Sequence, residues 1–316
     1  MSPLRLVFAG SPAAAVPSLR ALLASEHHVA AVLSREDAPQ GRRRLLSPTP
    51  VTAQAEERGI PVIRANRLTD AVTAELTALE PDLGVVVAYG ALLREPLLSA
   101  PPLGWINLHF SLLPRWRGAA PVQRAVIAGD ELTGASVFRL VPELDAGDVY
   151  GTVTEPIGAQ QTAGALLERL SGSGAELLRR VVDAIGAGTA RAEPQRGDVT
   201  LAPKLTIEDG RVDWGEDAGR VHARIRGVTP EPGAFTMLDG ERLKIHRAAI
   251  ARDAPRLPPG ALAADRVPVG TGAVRVLAGT GSEPLELLDV QPAGRRAMPA
   301  ADWWRGRGAT AGAVLE

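Results

Sequence analysis

Residues 81–90, Pro-Asp-Leu-Gly-Val-Val-Val-Ala-Tyr-Gly, restrict the fold of this chain more than any other stretch. A run that is apolar on both faces, and long enough for only one strand, must be covered from both sides. That is the position of a central strand in a parallel sheet flanked by helices. Leu4–Ala9 is a second such run, followed by the tight turn Gly10-Ser11-Pro12 and a helix ending near Ala24. Val29–Leu33 reads as a further strand, and the apolar spacing over Leu68–Leu79 as a helix. Strand, glycine turn and helix in that order open many doubly wound α/β folds. The Gly-x-Gly-x-x-Gly fingerprint is missing from the first turn, which argues against a nicotinamide cofactor.

Length and composition set the outer bounds. A chain of 316 residues accommodates a domain of about 200 residues and another of about 100. With 45% hydrophobic and 22% charged residues it is globular, and with no cysteine it has neither disulfides nor thiolate metal sites. No His/Asp/Glu cluster has ligand spacing, so no metal is expected. A net charge of −1 provides no global field for nucleic acid, so any RNA contact must be local. The longest apolar run, around Leu83–Leu93, is too short to span a bilayer, and the first residues lack the pattern of a secretory leader. A cytoplasmic protein without membrane contact is expected.

Residues 105–150 carry the chemistry. Trp105, Asn107 and His109 alternate with Ile106, Leu108 and Phe110, so a strand here places Asn107 and His109 on one face, two residues apart. Ser111 follows in phase and Leu112-Leu113-Pro114 ends the strand, because proline cannot donate to a central ladder. An amide beside an imidazole at a strand end can polarise a carbonyl and manage its proton. A second strand is expected at Ala135–Val141, then the turn Glu143-Leu144-Asp145-Ala146-Gly147-Asp148, where the Asp145 carboxylate could orient or charge the imidazole. Taken alone, Asn-x-His and Leu-Asp-x-Gly-Asp also fit a structural strand pair and an ordinary turn.

The intervening text, Ser-Leu-Leu-Pro-Arg-Trp-Arg-Gly-Ala-Ala-Pro-Val-Gln over residues 111–123, is similar to the signature of the enzymes that use 10-formyltetrahydrofolate as formyl donor. Within that superfamily the chain resembles the methionyl-tRNA formyltransferases. The resemblance implies a Rossmann-like, mostly parallel sheet followed by a small OB-like β-barrel. It divides the chain into a catalytic domain (1–189), a linker (190–208) and a C-terminal tRNA-binding domain (209–316). It also implies Asn107, His109 and Asp145 as catalytic residues, with the formyl donor held by Ser111, Leu112, Leu113, Pro114, Tyr89 and Gly90. The acceptor it implies is initiator methionyl-tRNA, and the oligomeric state a monomer.

Residues 34–50 are rich in turn formers and set Arg35, Arg42, Arg43 and Arg44 against Glu36 and Asp37. Composition alone reads this as a solvated loop or as a basic finger that orders on phosphates. The resemblance favours the finger and makes Arg42, Arg43 and Arg44 tRNA-binding residues. Arg115 and Arg117, flanking Trp116, are open to two readings: contacts to folate or the tRNA 3′ end, or anchors of their own loop. Short strands separated by Gly and Pro turns after residue 209 suggest a small open β-barrel. Two other readings stand beside this one: a nucleotide-sugar formyltransferase, sharing the catalytic stretch, and a catalytically dead RNA-binding protein. The last is disfavoured because mere binding would not require Asn107, His109 and Asp145 together.

Overall fold

The computed structural model describes residues 2–40, 45–266, 274–307 and 313–316. The chain forms two compact units. The first comprises Met1–Pro121, Leu132–Pro156 and Leu167–Ala202, and the second Val122–Glu131, Ile157–Leu166 and Pro203–Glu316.

In the first unit the chain runs through β1 (Arg5–Gly10), α1 (Val16–Leu23) and β2 (His28–Ser34), then a short antiparallel pair, β3 (Ala38–Gln40) and β4 (Leu45–Ser47). After α2 (Pro50–Glu57), β5 (Val62–Arg64) and α3 (Asp70–Ala78) come β6 (Leu83–Val87) and β7 (Trp105–His109). After the two-residue β8 (Arg117–Gly118), α4 (Pro121–Ala128) belongs to the second unit from Val122 on; the first unit resumes with β9 (Leu132–Arg139) and β10 (Val149–Pro156), then takes α5 (Ala163–Gly186) from Leu167 and β11 (Leu201–Ala202). Seven strands form one sheet in the order β10-β9-β7-β6-β1-β2-β5. The pairs from β7 to β5 are parallel, while β9 is antiparallel to both β7 and β10. The mostly parallel doubly wound sheet is therefore as expected, and every residue of β6 is buried within it.

Local chemistry sets the ends of these elements. The Thr49 hydroxyl accepts from the Thr52 amide and Thr69 from Val72, starting α2 and α3 with side-chain caps, each worth about 1 kcal/mol. The Thr69 cap also explains why α3 begins at Asp70 rather than Leu68. Gly84 leaves β6 bare on one face: a Cβ there would meet the Trp105 ring at 2.1 Å. The indole lies across that gap and donates to the Leu97 carbonyl at 2.9 Å. With Val7, Ala9, Leu33, Leu76 and Tyr89 it forms one buried cluster, which fixes the start of β7. Leu108, on the other face of β7, packs on Gly174 of α5.

Several local expectations change. The 34–50 segment is a loop only in part, since β3 and β4 pair within it; Arg42, Arg43 and Arg44 lie outside the described residues. Helix α4 starts no earlier than Pro121, because Arg117 and Gly118 are taken up by parallel pairing with β11. Strand β10 went unrecognised in the sequence because its residues alternate between half-buried and exposed and carry little apolar pattern. His27, at the start of the segment leading into β2, is buried; its ring accepts from the Leu4 amide at 3.0 Å and meets Asp183 at 3.2 Å.

The second unit contains α6 (Ala218–Gly227), α7 (Ala300–Arg307) and strands β12 (Ala234–Leu238), β13 (Glu241–Ile250), β14 (Leu262–Arg266), β15 (Val274–Ala278), β16 (Leu285–Pro292) and β17 (Met298–Pro299). Its core gathers Val212, Trp214, Val221, Ile225, Ile245, Val276, Leu287 and Trp303, with Ile127 of α4 packed against it. Gly227 leaves room for Ile127, and Arg124 of α4 pairs with Asp209 at 3.1 Å. The antiparallel sheet runs β12-β13-β16-β15-β14, with β17 on β16. No pairing joins β12 to β14 among the described residues, so these two edge strands do not close the sheet into a barrel. Residues 313–316 instead bond at both edges: Glu316 exchanges backbone bonds with Met237 of β12, while Leu262 of β14 donates to Ala313 and Leu315 to Gly260. Among the described residues no helix is long and apolar enough to cross a membrane.

Candidate active site at the end of strand β7

Strand β7 delivers Asn107 and His109 to one face, as the alternation required. Asn107 pairs with Phe138 and His109 with Ser136 across the antiparallel β9 register. Asn107 is half-buried, and its carboxamide has no hydrogen-bond partner among the described residues. His109 is buried, with its ring edge-on to Phe138 at 6.4 Å. Its Nε2 lies 2.8 Å from the Trp116 carbonyl. A carbonyl only accepts, so this contact assigns the ring proton to Nε2 and leaves Nδ1 as the free nitrogen.

Nδ1 faces Asp145 Oδ2 at 3.7 Å, beyond the range of a direct hydrogen bond. In the neutral ring the Nδ1 lone pair faces a carboxylate; once protonated, the same nitrogen becomes the cation of an ion pair. Burial holds the His109 pKa below its ordinary value, while the Asp145 charge and the Trp116 carbonyl pull upward without overcoming it. The ring is thus neutral at rest, and a proton arriving at Nδ1 is met by a counter-charge.

The loops behind this pair are tightly drawn. Asp145 and Trp116 sit at positive φ, 46° and 61°, although neither is glycine; such positions persist only where surrounding contacts enforce them. The Gly118 amide donates to Asp145 Oδ2 at 2.7 Å. Gly118, at φ 125°, lies so close to the Ala202 carbonyl that a Cβ would stand 2.8 Å from it, and at Gly147 a Cβ would stand 1.8 Å from the Arg139 carbonyl. No other residue type fits these two positions without movement of the backbone.

The residues expected to hold a formyl donor are brought to the same end of the sheet, in different states of engagement. Ser111 is fully buried and its hydroxyl donates to the Arg115 carbonyl at 2.5 Å. Ser136, which the sequence reading passed over, donates to the Ser111 carbonyl at 2.7 Å and accepts from the Leu113 amide at 3.2 Å. Leu112 and Leu113 are half-buried and Pro114 is buried. Tyr89 is buried in the sheet core; its hydroxyl donates to the Ala65 carbonyl at 2.7 Å, and burial raises its pKa. Its side chain therefore supports the loop from below. Gly90, at φ 87°, is exposed, with its carbonyl accepting from Arg35 at 3.0 Å.

Arg117 resolves one open alternative. Its guanidinium donates twice to Gln195 Oε1, at 3.1 and 2.6 Å, so it anchors its own loop. Gln195 and Thr200 went unnoticed in the sequence because they stand in a polar stretch without periodicity or motif. Only the fold shows what they touch. Among the described residues no group of three His, Asp or Glu side chains is arranged to hold a metal ion.

Comparison with known proteins adds a second line of observation. The model of the family described as formyl transferase matches residues 4–182, and that of the formyl transferase C-terminal domain matches residues 204–308. The methionyl-tRNA formyltransferase of Clavibacter sepedonicus is 61% identical over 303 residues, 96% of this chain and 97% of that protein. The methionyl-tRNA formyltransferase of Leifsonia xyli subsp. xyli is 60% identical over 308 residues, 98% of this chain and 99% of that one. Among solved structures, WlaRD, a sugar 3N-formyl transferase crystallised in the presence of dTDP and 5-N-formyl-THF, aligns with a TM-score of 0.66. That alignment covers 94% of this chain and 100% of the other at 13% identity, a likeness of fold.

Proposed function

The chain belongs to the formyl transferase family, among the methionyl-tRNA formyltransferases, and from that premise we propose that it transfers the formyl group of 10-formyltetrahydrofolate to the α-amino group of methionine on initiator methionyl-tRNA. The observation that carries this reading is the open Asn107 carboxamide beside a buried His109 whose one uncommitted nitrogen faces Asp145. The donor supplies an electrophilic formyl carbon. Attack by the methionine amine forms the new C–N bond and moves charge onto the formyl oxygen. Asn107 donates to that oxygen through Nδ2, a contribution of roughly 2.7–4 kcal/mol for one well-placed donor.

The proton lost by the amine passes to the His109–Asp145 pair. His109 takes or relays it at Nδ1, where the carboxylate stabilises the charged ring, and the protonated ring faces the same oxyanion. Collapse breaks the bond to N10, which leaves with a proton returned from the pair. Such general acid–base assistance is worth about 10²–10⁴-fold. Ser111, Leu112, Leu113 and Pro114 shape the donor site with the Tyr89–Gly90 loop, chiefly through backbone groups and the apolar surface of the leucines. Arg42, Arg43 and Arg44 contact tRNA phosphates, a role suggested by their charge.

The deciding assay offers charged initiator methionyl-tRNA, elongator methionyl-tRNA and an amino-sugar nucleotide together with 10-formyltetrahydrofolate. Formylation confined to the initiator is expected. Transfer to the sugar alone keeps the chemistry and overturns the acceptor; transfer to none overturns the enzymatic reading. Replacing Arg42, Arg43 and Arg44 by glutamine is expected to weaken tRNA binding and lower its salt slope by about 0.7–0.9 per lost phosphate contact. An unchanged slope would move those contacts elsewhere.

A further inference from the structure

Residues 193–202 cross the back of the site as a strap. Glu193 exchanges backbone bonds with Val149, at 2.8 and 2.9 Å. Two residues on, Gln195 Nε2 donates to the carbonyls of Asp145 and Gly147 at 2.8 and 2.9 Å, while its Oε1 takes both Arg117 bonds. Thr200 Oγ1 accepts from the Trp116 amide at 2.8 Å, and the Thr200 carbonyl accepts from the Arg117 amide at 2.9 Å. Leu201 and Ala202 then pair in parallel with Arg117 and Gly118, and the Ala202 carbonyl accepts from the Ala120 amide at 3.1 Å.

Apart from the pair with Val149, the first residue of β10, these bonds fall on two segments. One carries Asp145, the partner on the Nδ1 side of His109; the other carries Trp116, whose carbonyl holds Nε2. Gln195 spans both, using two donor and two acceptor contacts of a single carboxamide. A ring held between two loops keeps its orientation only while the spacing of those loops is fixed, and both loop residues sit at positive φ that contacts must enforce.

We propose that Gln195 and Thr200 are positioning residues for the His109–Asp145 pair: Gln195 sets the distance between the two loops that grip the imidazole, and Thr200 fixes the Trp116 peptide. Neither touches substrate. The proposal rests on the catalytic reading of His109 and Asp145 given above.

Gln195→Glu is the sharpest variant. It preserves shape and the acceptor for Arg117, but sets a carboxylate against two carbonyls that need donors. A displacement of this kind is expected to lower kcat by about 10²-fold, with KM for both substrates held within about threefold and the thermal midpoint close to wild type. Thr200→Val is expected to lower kcat less, and Thr200→Ser, which restores the hydroxyl, to recover it. The 15N imidazole signals of His109, read at one pH in the whole protein, report the grip without turnover. They are expected to move in Gln195→Glu and Thr200→Val and to return in Thr200→Ser.

Unmoved His109 signals with wild-type kcat overturn the proposal. So does a loss of activity that only follows loss of folded protein, with those signals unmoved in the folded fraction. If wild type transfers no formyl group and the signals still move in Gln195→Glu, the catalytic reading fails while the positioning geometry stands.

Discussion

Two buried histidines, one in each unit, show what burial alone does and does not create. His109 and His222 are 6% and 5% exposed, and burial lowers the pKa of both. Their neighbours differ in sign. His109 faces Asp145, which opposes the lowering; His222 lies near Arg226, which reinforces it. The His222 Nε2 is shared by two acceptors, Gln160 Oε1 at 3.2 Å and the Ala248 carbonyl at 3.1 Å. A ring fixed neutral among acceptors and a cation is a structural link. A ring kept neutral beside a carboxylate, with one nitrogen uncommitted, can gain a proton and lose it again.

The contrast can be broken by experiment. His109→Ala is expected to keep the fold and lose roughly 10²–10⁴-fold in turnover; wild-type turnover would place the two histidines in one structural class. Asp145→Asn keeps an acceptor for the Gly118 amide and removes the charge, so a loss of around 10²-fold is expected, with near-normal thermal stability. An unchanged kcat would show that the counter-charge is not what separates His109 from His222. His222→Gln should leave turnover within about twofold and cost on the order of 1–3 kcal/mol of stability, the price of disturbing a buried hydrogen-bonded group. A turnover defect larger than its loss of folded protein would give the second histidine a role in the reaction.

The smallest effect is in acid. Because burial depresses both folded values, the unfolded chain binds protons that the folded chain refuses below the ordinary imidazole value of about 6.5. The stability at stake is complete above that value and falls as pH drops through the depressed folded values. His222→Gln removes its share, so the gap between urea midpoints measured at about pH 7.5 and 5.5 should narrow relative to wild type. An unchanged gap would mean that His222 does not titrate differently on folding.

The same contrast shows how much was legible beforehand. Period-two alternation put Asn107 and His109 on one face, and the apolar run at residues 83–87 gave the central strand; both are local patterns, and both hold. Asp145 could be named because it stands in a turn after a recognisable strand. Gln195 and Thr200 could not, since their meaning comes from pairing across 50 and 84 residues of sequence. The arrangement of the C-terminal strands was less legible for a related reason: alternation specifies strands but not which edges meet. The burial of His27 depends on Asp183, far along the chain and invisible from its neighbours.

The second unit is assembled from three stretches of chain, and this bears on its order of synthesis. Val122–Glu131 and Ile157–Leu166 are translated before Pro203–Glu316, which supplies most of the core they join. At about 5–20 residues per second, the first stretch waits on the order of ten seconds for its partners. During that interval Ile127 has no Gly227 to pack on and Arg124 no Asp209. A fragment cut at residue 203 would carry the converse defect, presenting the sheet and α6 without the helix that Gly227 is shaped to receive.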